Sequence, residues 1–340
     1  MQEVLRPMSA SQVLDRTFYL YRKHFVLFAG IAVAGPALSL VASFIQLGIF
    51  GKPIMLVPGQ PDPAILQDML QKLVVQTMAS AILVLIFYTI GQAIATGATV
   101  YAVSMVHLGK DTSIAECYQS IKPTFWRILR ILLAIYVRMI WPLVIGYTLF
   151  FILTFAMLRT IRAGVGGAQA GAILAIFAGF IFASLAIVGG LVWMVYVYCR
   201  YSLAIPACAL EKLSAQDALA RSRSLVAGSM GRIVGIYLLT IVMAAVLASV
   251  LQLPAFFSMN IFTMKPGDQV SAAFMFWSLL GGFLGRILAG PIATVAIALV
   301  YYDQRVRKEA FDLQLMMDAI GQPATPPPPP LANPAAPGIG

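Results

Sequence analysis

Six apolar stretches, each long enough to cross a bilayer, govern what this chain can fold into. They fall at about 25–50, 73–108, 126–158, 170–199, 232–257 and 271–302. A helix needs about 20 apolar residues to cross the hydrocarbon layer. Inside that layer each segment must satisfy its own backbone polar groups, so helices are the expected form. The 340-residue chain is 60% hydrophobic and 11% charged, which excludes an ordinary soluble domain. The expected fold is an all-α integral membrane protein, with six transmembrane helices and amphipathic interfacial helices over residues 1–320. Helical breaks are expected at Gly30, Gly35 and Pro36, and at Trp141-Pro142. The 73–108 stretch exceeds what a bilayer needs, so part of it projects or the helix tilts. A short helix from Pro63 should lead into it. Residues 303–320 (DQRVRKEAFDLQLMMDAI) read as a charged terminal helix. Residues 321–340, with Pro326 to Pro330 in a row, read as a disordered tail.

Polar, basic segments stand before the first, third and fifth stretches, at Ser9–Lys23, Ser113–Arg127 and Ser214–Arg232. Each opens with a serine followed three residues later by Gln12, Glu116 or Asp217, the pattern of a capping box. The recurrence at about 100 residues raises three parallel helical hairpins as one reading. The other is that any helix leading into a span needs a cap. In the third segment Ala215, Ala218, Leu219, Ser222 and Leu225 or Val226 share a helix face, with Arg221 and Arg223 beside it. Such a helix fits the headgroup layer, with its arginines at phosphates, or packs on the end of its own bundle.

Basic residues are biased to one side. Arg6, Arg16, Arg22 and Lys23 precede the first span. Lys110 and Lys122 follow the second, Lys212, Arg221 and Arg223 the fourth, and Arg305, Arg307 and Lys308 the sixth. The opposite loops hold Lys52, Lys72, Arg159, Arg162 and Lys265. The positive-inside rule then places both termini in the cytoplasm. The expected location is a bacterial inner membrane. The net charge of +10 belongs to those loops and implies anionic lipid rather than nucleic acid. Met1–His24 lacks the short apolar core of a cleavable signal peptide. Cys117, Cys199 and Cys208 have no metal-type spacing and suggest no disulfide framework.

The run PACALEKLSAQDALARSRSLVAG (206–228), the run YYDQRVRKEAFDL after the last span and LDRTFYLYRKHF before the first resemble the bacterial glycerophosphoryl diester phosphodiesterase membrane-domain family. The resemblance rests on Glu211, Ala218, Leu219, Arg221, Ser222, Gly228, Tyr302, Asp303 and Arg305. It implies placement in a membrane and brings no chemical role, since no catalytic barrel follows here.

No catalytic motif stands out: there is no HExxH, Walker-type loop or GxSxG. His24 and His107 are the two histidines. The chain is expected to be non-enzymatic and to need no cofactor or metal. Arg138 and Arg286 fall inside apolar stretches. An arginine there costs about 2.5–3.5 kcal/mol and wants a partner or water. Either they meet an anion, with Gln92 as a neighbour, or they reach backbone carbonyls freed near Pro142 and Pro291. Together with Arg221 and Arg223 they are the candidate contacts for an anionic lipid or solute. Asp15, Arg16, Arg200, Glu211, Asp303 and Arg305 are the candidates for an ion-pair network holding interfacial helices to the bundle. The leading expectation is a membrane scaffold or lipid-interacting domain. The alternative is a transporter of a lipid-related or amphipathic anion.

Overall fold

A computed structural model describes residues 8–51, 63–107, 109–162, 167–258 and 271–321. Its elements in order are α1 (Ala10–Lys23), α2 (Phe25–Ala32), α3 (Ala34–Phe50), α4 (Pro63–His107), α5 (Ile114–Ile121) and α6 (Phe125–Arg162). Then come α7 (Gly167–Tyr201), α8 (Ala204–Glu211), α9 (Ala215–Val226), α10 (Met230–Phe257) and α11 (Ala272–Gly321). No strand occurs among the described residues. Six helical segments are long and apolar enough to cross a membrane, so this is a multi-pass membrane fold. The Pro-rich tail, the Ser258–Val270 loop beyond Ser258 and the centre of the Arg159–Gln169 turn lie outside the described residues.

The spans pair as hairpins: α3 with α4, α6 with α7, and α10 with α11. Each pairing uses a close glycine contact. A Cβ on Gly91 would stand 2.8 Å from the Gly35 Cα, one on Gly190 would stand 2.9 Å from Leu143 Cδ2, and one on Gly281 would stand 2.5 Å from the Leu251 carbonyl oxygen. Small residues let membrane helices gain dispersion energy through backbone approach, where no hydrophobic effect drives association.

The buried core gathers at one end of these hairpins. It holds Ala98 to Val103 of α4, Ile128 to Ile135 of α6, Leu203 to Cys208, Leu219 and Leu225 of α9, and Val295 to Tyr301 of α11. Toward the other end, Ile82, Ile86, Ile152, Phe155, Phe182, Leu185, Val246, Val250 and Phe276 are exposed, as lipid-facing side chains should be. The long helices therefore serve two solvents, with lipid around their outer halves and protein around their inner ends. This accounts for the excess length of α4. It also makes the terminal helix continuous with the sixth span, because α11 runs unbroken from Ala272 to Gly321.

The prolines divide by position. The chain breaks at Val33, between α2 and α3, and Pro36 then occupies the first turn of α3, where a missing N–H costs nothing. At Pro142 the expected break does not occur, and α6 is continuous. Proline removes the bond to the carbonyl four residues back, here that of Arg138. Trp193 Nε1 of α7 donates to that carbonyl at 2.9 Å, so the freed acceptor is satisfied by the hairpin partner.

Two of the three serine caps form full boxes, Ser9 with Gln12 and Ser113 with Glu116. The third is one-sided. Ser214 Oγ accepts from the Asp217 N–H, but the shorter Asp217 carboxylate takes the Ser214 hydroxyl at 2.6 Å instead of reaching the cap backbone. The apolar faces of α1 and α9 are spent on protein. Val13, Thr17 and Leu20 are buried in α1, and Ala218, Leu219, Ser222, Leu225 and Val226 in α9. Helix α1 lies lengthwise on α11: Met8 N–H donates to Asp303 at 2.7 Å and the Tyr21 hydroxyl to the Leu288 carbonyl at 2.8 Å. Burial there pushes the Tyr21 phenol up to about 12, so it remains a donor throughout the physiological range.

Candidate functional site

Three polar constellations stand out, and the first is structural. At the core end Glu211, closing α8, faces Arg221 of α9 at 3.3 Å and Arg305 of α11 at 3.9 Å. It also accepts the Tyr301 hydroxyl. Glu309 bonds Arg305 at 2.8 Å and pairs with Arg221. A separate cluster surrounds Asp303, whose side chain is 1% exposed. It accepts from Arg232 Nη1 at 2.8 Å, Arg307 Nε at 2.9 Å and Met8 N–H. Both guanidinium groups continue to the Met8 carbonyl. Lys308 Nζ caps the end of α9 through the carbonyls of Ser224 and Ala227, each at 2.6 Å. These contacts bind α1, α8, α9, α10 and α11 into one end piece.

The second constellation lies on the outer surface of α6, α7 and α9. The Arg138 guanidinium carbon stands 5.6 Å from the centroid of the Tyr201 ring, and that of Arg223 stands 6.0 Å from the same centroid. Both arginines are exposed. Each bonds a carbonyl of its own helix, Arg138 Nη1 to Ala134 at 2.7 Å and Arg223 Nε to Leu219 at 3.4 Å. Among the described residues, no carboxylate pairs with either. Beside them runs an aromatic row: Trp141 edge-on to Trp193 at 6.1 Å, Trp193 against Tyr196 at 5.8 Å, and Arg200 over Tyr196 at 5.7 Å. Arg200 Nη1 also bonds the Tyr196 hydroxyl at 2.6 Å. On α6 the step from Arg138 to Arg159 is about 32 Å at 1.5 Å per residue, the thickness of the hydrocarbon layer. The stretch of α6 between the two arginines is thus long enough by itself to cross that layer.

The third constellation joins the hairpins where the packed core gives way to splayed spans. Tyr88 of α4 stacks on Tyr136 of α6 with centroids 6.5 Å apart, and Tyr198 of α7 stacks on Tyr237 of α10 at 4.3 Å. Tyr136 lies close to both Tyr88 and Tyr198, which makes the four one group. Arg286 of α11 stands over Tyr88 at 5.9 Å. Gln92 lies one helical turn from Tyr88, and its Oε1 accepts from Thr96 at 3.4 Å. Beside Tyr237, a crevice of about 10 Å³ is lined by Ser202, Ile233, Thr240, Ile297 and Val300. That is room for about one water.

The structure thus distributes the residues that the sequence singles out. Arg138 and Arg223 meet at one ring; Arg286 belongs to a different group; Arg221 is held in ion pairs. Glu211, Arg221 and Arg305 come together. Asp303 takes Arg232 and Arg307 instead of Arg305. Arg200 turns to Tyr196, and its carbonyl accepts from Ser222 at 3.0 Å. Asp15 is exposed on α1 and belongs to neither acidic cluster, with Arg16 half-buried beside it. The shared tyrosine ring and the tyrosine group escape sequence reasoning. Their one signal is a tyrosine in each of four spans, which reads equally as apolar filling.

Among the described residues no three His, Cys, Asp or Glu side chains gather as metal ligands. The three cysteines are buried and unpaired. Comparison with curated proteins and with solved structures yields no match. Neither comparison adds to the resemblance with phosphodiesterase membrane domains. One family matches, over residues 56–302, from the segment before α4 through nearly all of the last span. That stretch carries the tyrosine group, the Arg138–Tyr201–Arg223 surface and Glu211, and on it the chain belongs to the family described as Domain of unknown function (DUF8558).

Proposed function

We propose that this chain is a non-enzymatic protein of a bacterial inner membrane that holds an anionic phospholipid headgroup at its rim, with both termini cytoplasmic. The observation that carries the reading is the sharing of the Tyr201 ring by Arg138 and Arg223. Two guanidinium groups on one ring repel each other, and no acid among the described residues offsets them. A phosphate between them would. Stacking on an aromatic face leaves the in-plane N–H groups of arginine available for oxyanions. The neighbouring Trp141, Trp193 and Tyr196 suit the headgroup level, where amphipathic rings concentrate. The orientation follows from the basic bias of the core end, which carries Lys110, Lys122, Lys212, Arg307 and Lys308.

The same placement explains why α9 is basic yet packed. Its apolar face fixes it to the bundle, and its arginines are then presented from a rigid support. Arg221 serves the ion-pair cluster and Arg223 serves the surface. The test is lipid enrichment around the full chain in nanodiscs containing phosphatidylglycerol and phosphatidylcholine. Arg138→Gln with Arg223→Gln should abolish the enrichment in phosphatidylglycerol, and Arg221→Gln alone should leave it while lowering stability. Unchanged enrichment in the double variant would sink the proposal.

A further inference from the structure

The seam between the three hairpins carries a second arrangement that the rim does not explain. Arg286 is the one member with a formal charge, and it stands in the apolar run FLGRILAG of α11. It is exposed. Among the described residues no carbonyl or carboxylate accepts from its N–H groups; its contact is the face of Tyr88. An arginine within an apolar span is a functional-site candidate by default. The four tyrosines add to this. Three tyrosine hydroxyls elsewhere in the chain are anchored on acceptors: Tyr21 on Leu288, Tyr118 on Ile31 and Tyr301 on Glu211. The hydroxyls of Tyr198 and Tyr237 are bonded to each other. Among the described residues no backbone carbonyl or carboxylate takes a hydrogen bond from Tyr88, over whose ring Arg286 stands, or from Tyr136 beside it. All four side chains are half-buried rather than sealed. Buried phenols normally find a partner, so the unanchored hydroxyls of Tyr88 and Tyr136, with Arg286 over the Tyr88 ring, are costly unless something accepts from them.

We propose that Arg286, with Tyr88 and Tyr136, binds the oxyanion headgroup of an amphiphile, a phosphate or a carboxylate, in the seam among the three hairpins. Every donor in the group suits an oxyanion, and no acidic residue among the described ones pairs with Arg286 to compete with one. The amphiphile follows from what flanks the polar group. Toward the hairpin ends, Leu85, Ile86 and Leu284 are exposed beside Tyr88 and Arg286, an apolar surface for a chain. The small crevice beside Tyr237 takes no chain, which directs it outward between the spans. Because each hairpin contributes at least one member, the bound headgroup would bridge all three.

The test uses the full chain in maltoside micelles, with dodecyl phosphate as probe and native mass spectrometry as readout. The parent carries Arg138→Gln and Arg223→Gln, so the rim does not contribute and its failure is separable from failure here. One dodecyl phosphate per chain is expected. Arg286→Gln should weaken binding about tenfold, the loss of one charge-assisted hydrogen bond. Tyr88→Phe with Tyr136→Phe keeps the rings, removes two hydroxyls and should weaken it several-fold even if Arg286→Gln proves unstable. Binding within about twofold of the parent in both variants would overturn the site. Displacement of the probe by a large excess of inorganic phosphate would overturn the amphiphile and assign the site to a free anion. Persistence of the probe in that excess supports the amphiphile.

Discussion

Asp303→Asn should be among the most damaging isosteric changes in the chain. The Asp303 carboxylate is almost fully enclosed and accepts from Arg232, Arg307 and the Met8 N–H at 2.7–2.9 Å. The asparagine amide keeps one acceptor but turns a donor toward two guanidinium groups. Removing one partner of a buried pair costs about 3–5 kcal/mol. Arg232 and Arg307 are 22% and 38% exposed and recover some hydration, which brings the expected loss to about 3 kcal/mol. Arg307→Ala removes the more exposed of the two cations and leaves Asp303 its bonds to Arg232 and the Met8 N–H, so it should cost about 1 kcal/mol. Equilibrium unfolding of the full chain in mixed maltoside and dodecyl sulfate micelles measures both. Protease sensitivity near Met8 should rise in Asp303→Asn, because α1 loses its anchor on α11. A loss under about 1 kcal/mol, or a smaller loss than in Arg307→Ala, would refute the assignment of Asp303 as the pin of the N-terminal helix.

Other perturbations test separate parts of the fold by the same unfolding measurement. Gly281→Ala drives a methyl onto the Leu251 carbonyl and should destabilise by about 1–3 kcal/mol. Gly235→Ala, with nothing within 4 Å of the new Cβ, should instead stabilise by up to about 1 kcal/mol. Trp193→Phe strands the Arg138 carbonyl at a cost of about 1 kcal/mol; in a Pro142→Ala background a new N–H takes that acceptor, and the cost should vanish. The Glu116 carboxyl lies below its ordinary range because it accepts from the Ser113 backbone N–H and then from the Thr112 hydroxyl. A depressed carboxyl contributes above its unfolded value of about 4.3 and loses that contribution as pH falls through its folded value. The stability gap between the native chain and Glu116→Gln should therefore close on acidification from neutral pH to below 4.

The six spans and the serine caps are legible because both are local: span length and a three-residue spacing need no knowledge of the rest of the chain. The cap at Ser214 departs from its pattern by one methylene, and that difference too is readable once Asp217 is set beside Gln12 and Glu116. The inner ends of α4, α6 and α11 are not readable in this way. Residues such as Val100, Ile131 and Val295 have the composition of a span whether lipid or protein surrounds them. Pairing across the chain is equally hidden. Nothing in the sequence tells Asp303 to choose Arg232 and Arg307 over Arg305, or places Met8 at a residue 295 positions away. The convergence of Arg138 and Arg223 on Tyr201 depends on how α6 and α9 pack against α7, and the tyrosine group depends on all three hairpins at once.

The central claim is that an anionic headgroup sits at the ring shared by Arg138 and Arg223. The most direct measurement uses phosphatidylglycerol bearing a photoreactive headgroup, cross-linked to the full chain in nanodiscs and mapped by peptide mass spectrometry. Cross-links concentrated on the segments around Arg138, Tyr201 and Arg223, and lost in Arg138→Gln with Arg223→Gln, are the predicted result. Cross-links spread evenly over the basic residues of α1 and α9 and over Lys110 and Lys122, or unaffected by the double substitution, would contradict the account.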